Sequence, residues 1–169
     1  VMYRFFYGAQ DLLICQTEMM KKSLIHSLDF VPVKRIHVLP NPVNIENVTS
    51  MSQEPLKQAM PFAVNVVGCG RLIEIKAFDR LITGFSRIAP KYPMAGLVII
   101  GDGPCREDLE RLAEDAGLAS RVFFAGRQDN PINWFAHADV GVISSVKEGF
   151  PNVLLEMMAA GTRQVISTP

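Results

Sequence analysis

The chain has 169 residues, 49% hydrophobic and 20% charged, and its 17 Lys and Arg balance 17 Asp and Glu. That much apolar surface supplies a core and excludes intrinsic disorder. A net charge of zero removes the basic surplus of a nucleic-acid binder or of a polybasic membrane binder, so no nucleic acid is expected as partner.

Three widely spaced cysteines (Cys15, Cys69 and Cys105) form no C-x-x-C. They suggest neither a disulfide framework nor a zinc site, no metal site is expected, and they fit a reducing compartment. No apolar run is long enough to span a membrane. The start, Val1-Met2-Tyr3-Arg4, lacks a signal-peptide pattern and does not begin with Met, which reads as an internal fragment.

Along the chain, Leu12-Leu13-Ile14-Cys15 reads as a buried strand. Thr17 is placed to cap a helix carrying Glu18 in its first turn. Arg35–Leu39 is a second short strand, stopped by Pro40-Asn41-Pro42. Residues 41–61, rich in Asn, Ser, Gln, Glu and Pro, read as linker. The texture then changes. Phe62–Gly68, Gly96–Ile100, Arg121–Ala125, Val140–Ser144 and Gln164–Ser167 read as strands. Asp79–Ala89, Arg106–Ala116, Ile132–Ala138 and Asn152–Ala160 read as helices between them, with Gly117 ending the second. Continuous apolar strands alternating with amphipathic helices predict a parallel α/β sheet, doubly wound and Rossmann-like. Such a sheet takes its ligand at the carboxyl ends of the strands.

The rim residues are therefore the ones to inspect. Gly68-Cys69-Gly70-Arg71-Leu72-Ile73 lacks the third glycine of a dinucleotide fingerprint, and no P-loop is present. Arg71 and Lys76, in the turn after the first strand of this sheet, are suited to clamp a diphosphate, one as a planar fork and one as a point charge. Alone, such a pair is more often solvated surface charge. Glu148-Gly149-Phe150-Pro151-Asn152 leads into a helix whose first N–H groups form an anion site. Glu156 follows one turn later. Two carboxylates flanking an anion site suit sugar and ribose hydroxyls. Equally, Glu148 reads as a capping acid and Glu156 as a helix-start charge.

Taken in order, Gly70-Arg71-Leu72 with Lys76, Gly101-Asp102-Gly103-Pro104, Gly126, Ala138-Asp139-Val140 and Glu148-Gly149-Phe150-Pro151-Asn152 with Glu156 resemble the group 1 family of retaining glycosyltransferases. The resemblance covers roughly residues 62–168, and Glu148 and Glu156 meet the family's E-x7-E signature. It implies the donor-binding half of a GT-B fold, truncated at both ends. Residues 1–44 would then be the end of the acceptor domain and its hinge, 45–61 a linker, and 62–169 an incomplete nucleotide-sugar donor domain. It also implies transfer of a sugar from a nucleotide-diphosphate donor with retention, with no cofactor and no essential metal, in cell-surface polysaccharide synthesis. By resemblance, Arg71 and Lys76 neutralise the leaving diphosphate and Glu148 holds donor-sugar hydroxyls. Gly149, Phe150, Pro151 and Asn152 meet sugar and phosphates, Glu156 takes the ribose, and the base lies near Arg127. The acceptor, a glycan or a lipid-linked sugar, would be met by the missing domain, at the cytoplasmic side of the plasma membrane.

The family often has Gly after the motif lysine. Ala77 stands there, and as a good helix former it is expected to do little harm. Other readings are a sugar-nucleotide epimerase of the same architecture, and a non-catalytic binding fragment that self-associates through exposed sheet edges. The fragment is expected to bind nucleotide without transferring sugar. His26, His37 and His137 are read as structural. Cys69 is read as buried and not nucleophilic, and Ser144-Ser145 lack a hydrolase setting.

Overall fold

The computed structural model describes residues 6–167. The readings at Val1–Arg4 and at the end of the chain, Pro169, lie outside them. The chain divides into two compact units.

The smaller unit joins Glu148–Pro151 to the described part of Val1–Pro42. Here β1 (Leu13–Cys15), α1 (Glu18–Ser27) and β2 (Ile36–Val38) follow in order. The two strands pair in parallel, Leu13 opposite Ile36. Thr17 caps α1 as its residue type suggests, its side chain accepting from the Met20 N–H at 3.1 Å. Leu13 and Cys15 join Leu28, Val31 and Ile36 in a small core. Leu12 and Ile14 are exposed, so the run that reads as fully buried is covered on one face only.

The larger unit spans Val43–Lys147 and continues from Asn152. It opens with α2 (Ile45–Ser52), a helix where the composition reads as irregular linker. Local chemistry explains the difference. The Asn44 side chain accepts from the Asn47 N–H at 2.9 Å, which caps the helix. Val48 and Met51, three apart, put one apolar edge into the core.

Five strands follow: β3 (Val64–Cys69), β4 (Ala95–Ile100), β5 (Val122–Gly126), β6 (Val140–Ile143) and β7 (Gln164–Ser167). They form one sheet in the order β5-β4-β3-β6-β7, and every neighbouring pair is parallel. Between them lie α3 (Phe78–Ile88), α4 (Arg106–Asp115), α5 (Ile132–Ala136) and α6 (Asn152–Ala160). All six residues of β4 are buried, and they alternate between two cores. Leu97 and Ile99 pack with Phe78, Ile82 and Phe85 of α3 and Leu109 of α4. Val98 and Ile100 pack with Val48, Trp134, Phe135 and Met157. Both faces of the sheet are thus covered, as continuous apolar strands require.

The chain steps outward from β3 to β4 to β5, then returns to lay β6 against the other side of β3. That reversal is the topological switch point of a doubly wound sheet, where the loops leaving β3 and β6 part to opposite faces and leave a crevice.

The turns beyond β3 and β4 are hydrogen-bonded to each other. The Gly70 N–H donates to the Ile100 carbonyl at 3.0 Å, and the Leu72 N–H donates to that of Asp102 at 2.9 Å. Gly101 has φ +133°, and a Cβ built there would stand 1.9 Å from the Gly70 carbonyl oxygen. One departure concerns Ala77. It opens α3 in the left-handed region, φ 49° and ψ 43°, the one non-glycine residue with positive φ among those described. The reason given for expecting little harm from alanine here therefore does not apply. The position is a left-handed turn, where a Cβ costs about 1–2 kcal/mol and helix propensity is irrelevant.

Two stability outcomes follow, both read by thermal or urea denaturation. Gly101→Ala combines a disfavoured φ with a backbone clash and is expected to cost at least ~3 kcal/mol. Ala77→Gly is expected to stay within about 1 kcal/mol of the parent. Relief of ~1–2 kcal/mol of strain is offset by the flexibility of glycine, ~0.5–1 kcal/mol, and by the lost buried methyl, ~0.8 kcal/mol. A loss of about 2 kcal/mol or more would show that the left-handed turn is not strained.

Candidate functional site

The crevice is built first by glycines that let backbone and helix come close. A Cβ at Gly68 would lie 2.8 Å from the Leu81 side chain and 3.1 Å from that of Phe78, so α3 seats directly under the end of β3. Leu72, fully buried, pins the following turn, its carbonyl accepting from the Cys105 N–H at 3.0 Å. Arg71, between the anchored Gly70 and Leu72, stays exposed. It lines a cleft of about 430 Å³ with Cys69, Gly70, Gly101, Asp102, Arg127, Gln128 and Pro131. The cleft thus brings together Arg71 and Arg127, and two guanidinium groups on one concave surface favour an anion.

Lys76 ends a short 3-10 turn, Glu74–Lys76. Its stem passes over the glycine turn: Cδ and Cε lie 3.8 Å from where a Gly70 Cβ would stand. Two hydrogen bonds fasten this turn to the segment leaving β6. The Ser144 Oγ donates to the Lys76 carbonyl at 2.8 Å, and the Val146 N–H donates to the Ile75 carbonyl at 2.9 Å.

Glu156 enters from α6. Its neighbour Met157 is fully buried and packs where a Cβ on Gly141 of β6 would be 2.5 Å from its sulfur. The missing side chain lets α6 press on β6 and sets the rotation of the helix. Burial pushes the Glu156 carboxyl above its ordinary value. The Cys69 thiol, at the end of β3, is pushed up to about 12 by burial and then by the Glu156 carboxylate, with Lys76 opposing. Cys69, half-buried at the cleft, therefore keeps its proton at neutral pH, which disfavours a nucleophilic role.

Glu148, Gly149, Phe150 and Pro151 belong to the smaller unit. There Gly149 stands against Gln16 and Met20, whose Oε1 and Sδ lie 3.4 and 3.5 Å from a Cβ built on it. Asn152 is the first residue of α6, and Pro151 immediately precedes it. His137 ends α5 with its Nδ1 2.7 Å from the Asn133 carbonyl, a structural contact. Site reasoning gave no binding role to Asp102 or Gln128 and set Ser144 aside for want of a hydrolase setting. The first two stand on rim segments that strand order alone marks out. The Ser144 hydroxyl, 6% exposed, has no sequence signal beyond its place after β6.

Comparison with known proteins gives these features a family. The family described as Glycosyl transferases group 1 matches residues 63–169. An uncharacterised glycosyltransferase of Methanocaldococcus jannaschii, MJ1059, is 34% identical over 98% of this chain and 41% of its own length. The lipopolysaccharide core biosynthesis glycosyltransferase LpsE of Rhizobium meliloti is 33% identical over 96% of this chain and 45% of its own. The chain therefore spans less than half the length of these relatives. Among solved structures, Anabaena HepE in complex with UDP and glucose superposes with a TM-score of 0.79 at 20% identity, covering 98% of this chain and 46% of that one. An S. aureus TarM variant in complex with fondaparinux, alpha-GlcNAc-glycerol and UDP gives a TM-score of 0.79 at 22% identity, over 95% and 30%. These likenesses place the sheet in the GT-B class.

The raised Glu156 carboxyl has a pH signature. The folded chain binds that proton more tightly than the unfolded chain, whose ordinary value is 4.5. The stability it contributes is full below that value and is lost as pH rises through the raised one. Glu156→Gln removes this slope. The variant is expected to gain melting temperature over the parent as pH rises from 4 to 7, and the gap should close again at pH 4. A constant gap across that range would count against a raised carboxyl.

Proposed function

This chain belongs to the group 1 glycosyltransferases, and from that premise we propose that its 62–169 portion holds the nucleoside-diphosphate-sugar donor of a retaining sugar transfer. The observation that carries the proposal is the cleft at the end of β3 that Arg71 and Arg127 line, with the Lys76 stem crossing the adjoining Gly70 turn. Cations and a carboxylate gathered at one switch point match a ligand that is polyanionic at one end and rich in hydroxyls at the other.

In transfer, the bond between the sugar's anomeric carbon and the diphosphate breaks. Its electron pair leaves on the phosphate oxygen, and the acceptor hydroxyl supplies the new bond and gives up its proton to that departing oxygen. Negative charge thus develops on the departing diphosphate. Arg71, as a fork, and Lys76, as a point charge, are placed to neutralise it, which is electrostatic stabilisation at the atom where charge appears. Two fixed cations also supply what a divalent ion would, so the reaction is expected to run without metal. Glu156 accepts from the ribose hydroxyls, and the base meets the backbone near Arg127. In the E-x7-E reading Glu148 takes donor-sugar hydroxyls, and Gly149–Asn152 meet sugar and phosphate. LpsE acts by name in lipopolysaccharide core biosynthesis, which supports polysaccharide assembly with a glycan or lipid-linked acceptor. Three free cysteines support the cytoplasmic side. No helix among the described residues is long and apolar enough to cross a membrane.

Calorimetric titration tests the donor reading, with UDP first because the HepE and TarM complexes contain it, then GDP and ADP. Arg71→Ala and Lys76→Ala are each expected to weaken the preferred diphosphate by roughly 10- to 100-fold, the scale of a lost charge-assisted hydrogen bond of about 1.5–3 kcal/mol. Affinity for the free nucleoside should barely change. Equal affinity in the parent and both variants would overturn the assignment.

A further inference from the structure

We propose that Ser144 is a positioning residue: its buried hydroxyl fixes the backbone of Lys76 and so sets where the ammonium meets the donor's diphosphate. This inference rests on the donor reading of the site.

The turn that carries Lys76 is short, and the Ala77 N–H closes it onto the Glu74 carbonyl at 2.9 Å. It is a single 3-10 turn, Glu74–Lys76, with the Lys76 N–H donating to the Ile73 carbonyl at 3.0 Å. It then passes into Ala77 in the left-handed region. A left-handed non-glycine residue persists only where its surroundings hold it there. The Ser144 Oγ supplies that restraint at the residue before it, donating to the Lys76 carbonyl at 2.8 Å. One turn-position earlier, the Val146 N–H holds the Ile75 carbonyl at 2.9 Å. Ser144 itself is a firm post. It follows β6, whose Ile143 is buried, and the serine is 6% exposed.

The tie bridges the switch point. β3 and β6 are neighbours in the sheet, yet their outgoing loops part to opposite faces, so nothing in the strand ladder sets the spacing between them. The Ser144 hydroxyl does so with a side chain. A fixed cation stabilises a developing charge only if it is in place beforehand, and a shift of about 1 Å in a positioning element is enough to lose much of that. Ser144→Ala removes the hydroxyl, leaves the lysine in the sequence and removes this one restraint on its backbone.

The test is a double-mutant cycle on the full chain, read by calorimetry with UDP, or whichever diphosphate the parent prefers, and with the matching nucleoside. Ser144→Ala is expected to weaken diphosphate binding roughly 3- to 10-fold, the scale of about 1 kcal/mol, with nucleoside binding unchanged. In a Lys76→Met background, Ser144→Ala is expected to have no further effect, because the group it positions is gone. Should the alanine variant not fold, Ser144→Cys, of similar size but a weak donor, is read the same way. An equal loss in both backgrounds would make Ser144 a merely structural residue and overturn the inference. So would a lower melting temperature with unchanged diphosphate affinity. If Lys76→Met binds diphosphate as tightly as the parent, the donor reading falls first and takes this inference with it.

Discussion

The close docking of the turn after β3 onto the turn after β4 is the constraint on which the site depends. Arg71 faces the cleft because Gly70 and Leu72 on either side are hydrogen-bonded to the Ile100 and Asp102 carbonyls. Those bonds form only because Gly101 and Gly103 have no side chain. A Cβ on either would come within 1.9 or 2.4 Å of a carbonyl oxygen across the gap, that of Gly70 or of Leu72. The glycines that resemble a failed dinucleotide fingerprint therefore serve backbone-to-backbone packing between two loops. The position a third glycine would take in that fingerprint is held by Ile73.

A second layer is electrostatic. Burial raises the carboxyl and the thiol alike, so the pocket floor has a low effective dielectric. Charges in such a place act strongly on a ligand and are costly while they wait for one.

Most of the sheet was legible in the sequence, because β3 to β7 are short apolar runs separated by amphipathic helices and glycine turns. Strand order also pointed to the rim segments that carry Arg71 and Arg127, which line one cleft. What escaped has physical causes. α2 shows only Val48 and Met51 as its apolar edge, too few to betray a helix among polar residues. Ala77 follows a turn geometry that its propensity opposes. Ser144 acts through a backbone carbonyl, and a contact of that kind depends on the partner's position and not on its residue type. The face of β1 carrying Leu12 and Ile14 misled for a different reason: apolar composition shows that a strand can be buried, and not how much of it is.

These departures are not scattered. A left-handed alanine, a carboxyl raised by burial and a thiol held protonated all lie where β3 gives way to its loop or where α6 faces it. A sequence that folds well agrees with local rules nearly everywhere, and its violations tend to gather where function requires them. Here each violation has a neighbour that sustains it: Ser144 beside the Lys76–Ala77 turn, Met157 against Gly141 beside Glu156, and Phe78 with Leu81 beneath Gly68. The strained elements are short, and the residues that hold them, Ser144, Met157 and Phe78, are buried. Strain at the rim is therefore stored against a rigid base, which holds the Lys76–Ala77 turn in a conformation that its own residue types would not choose.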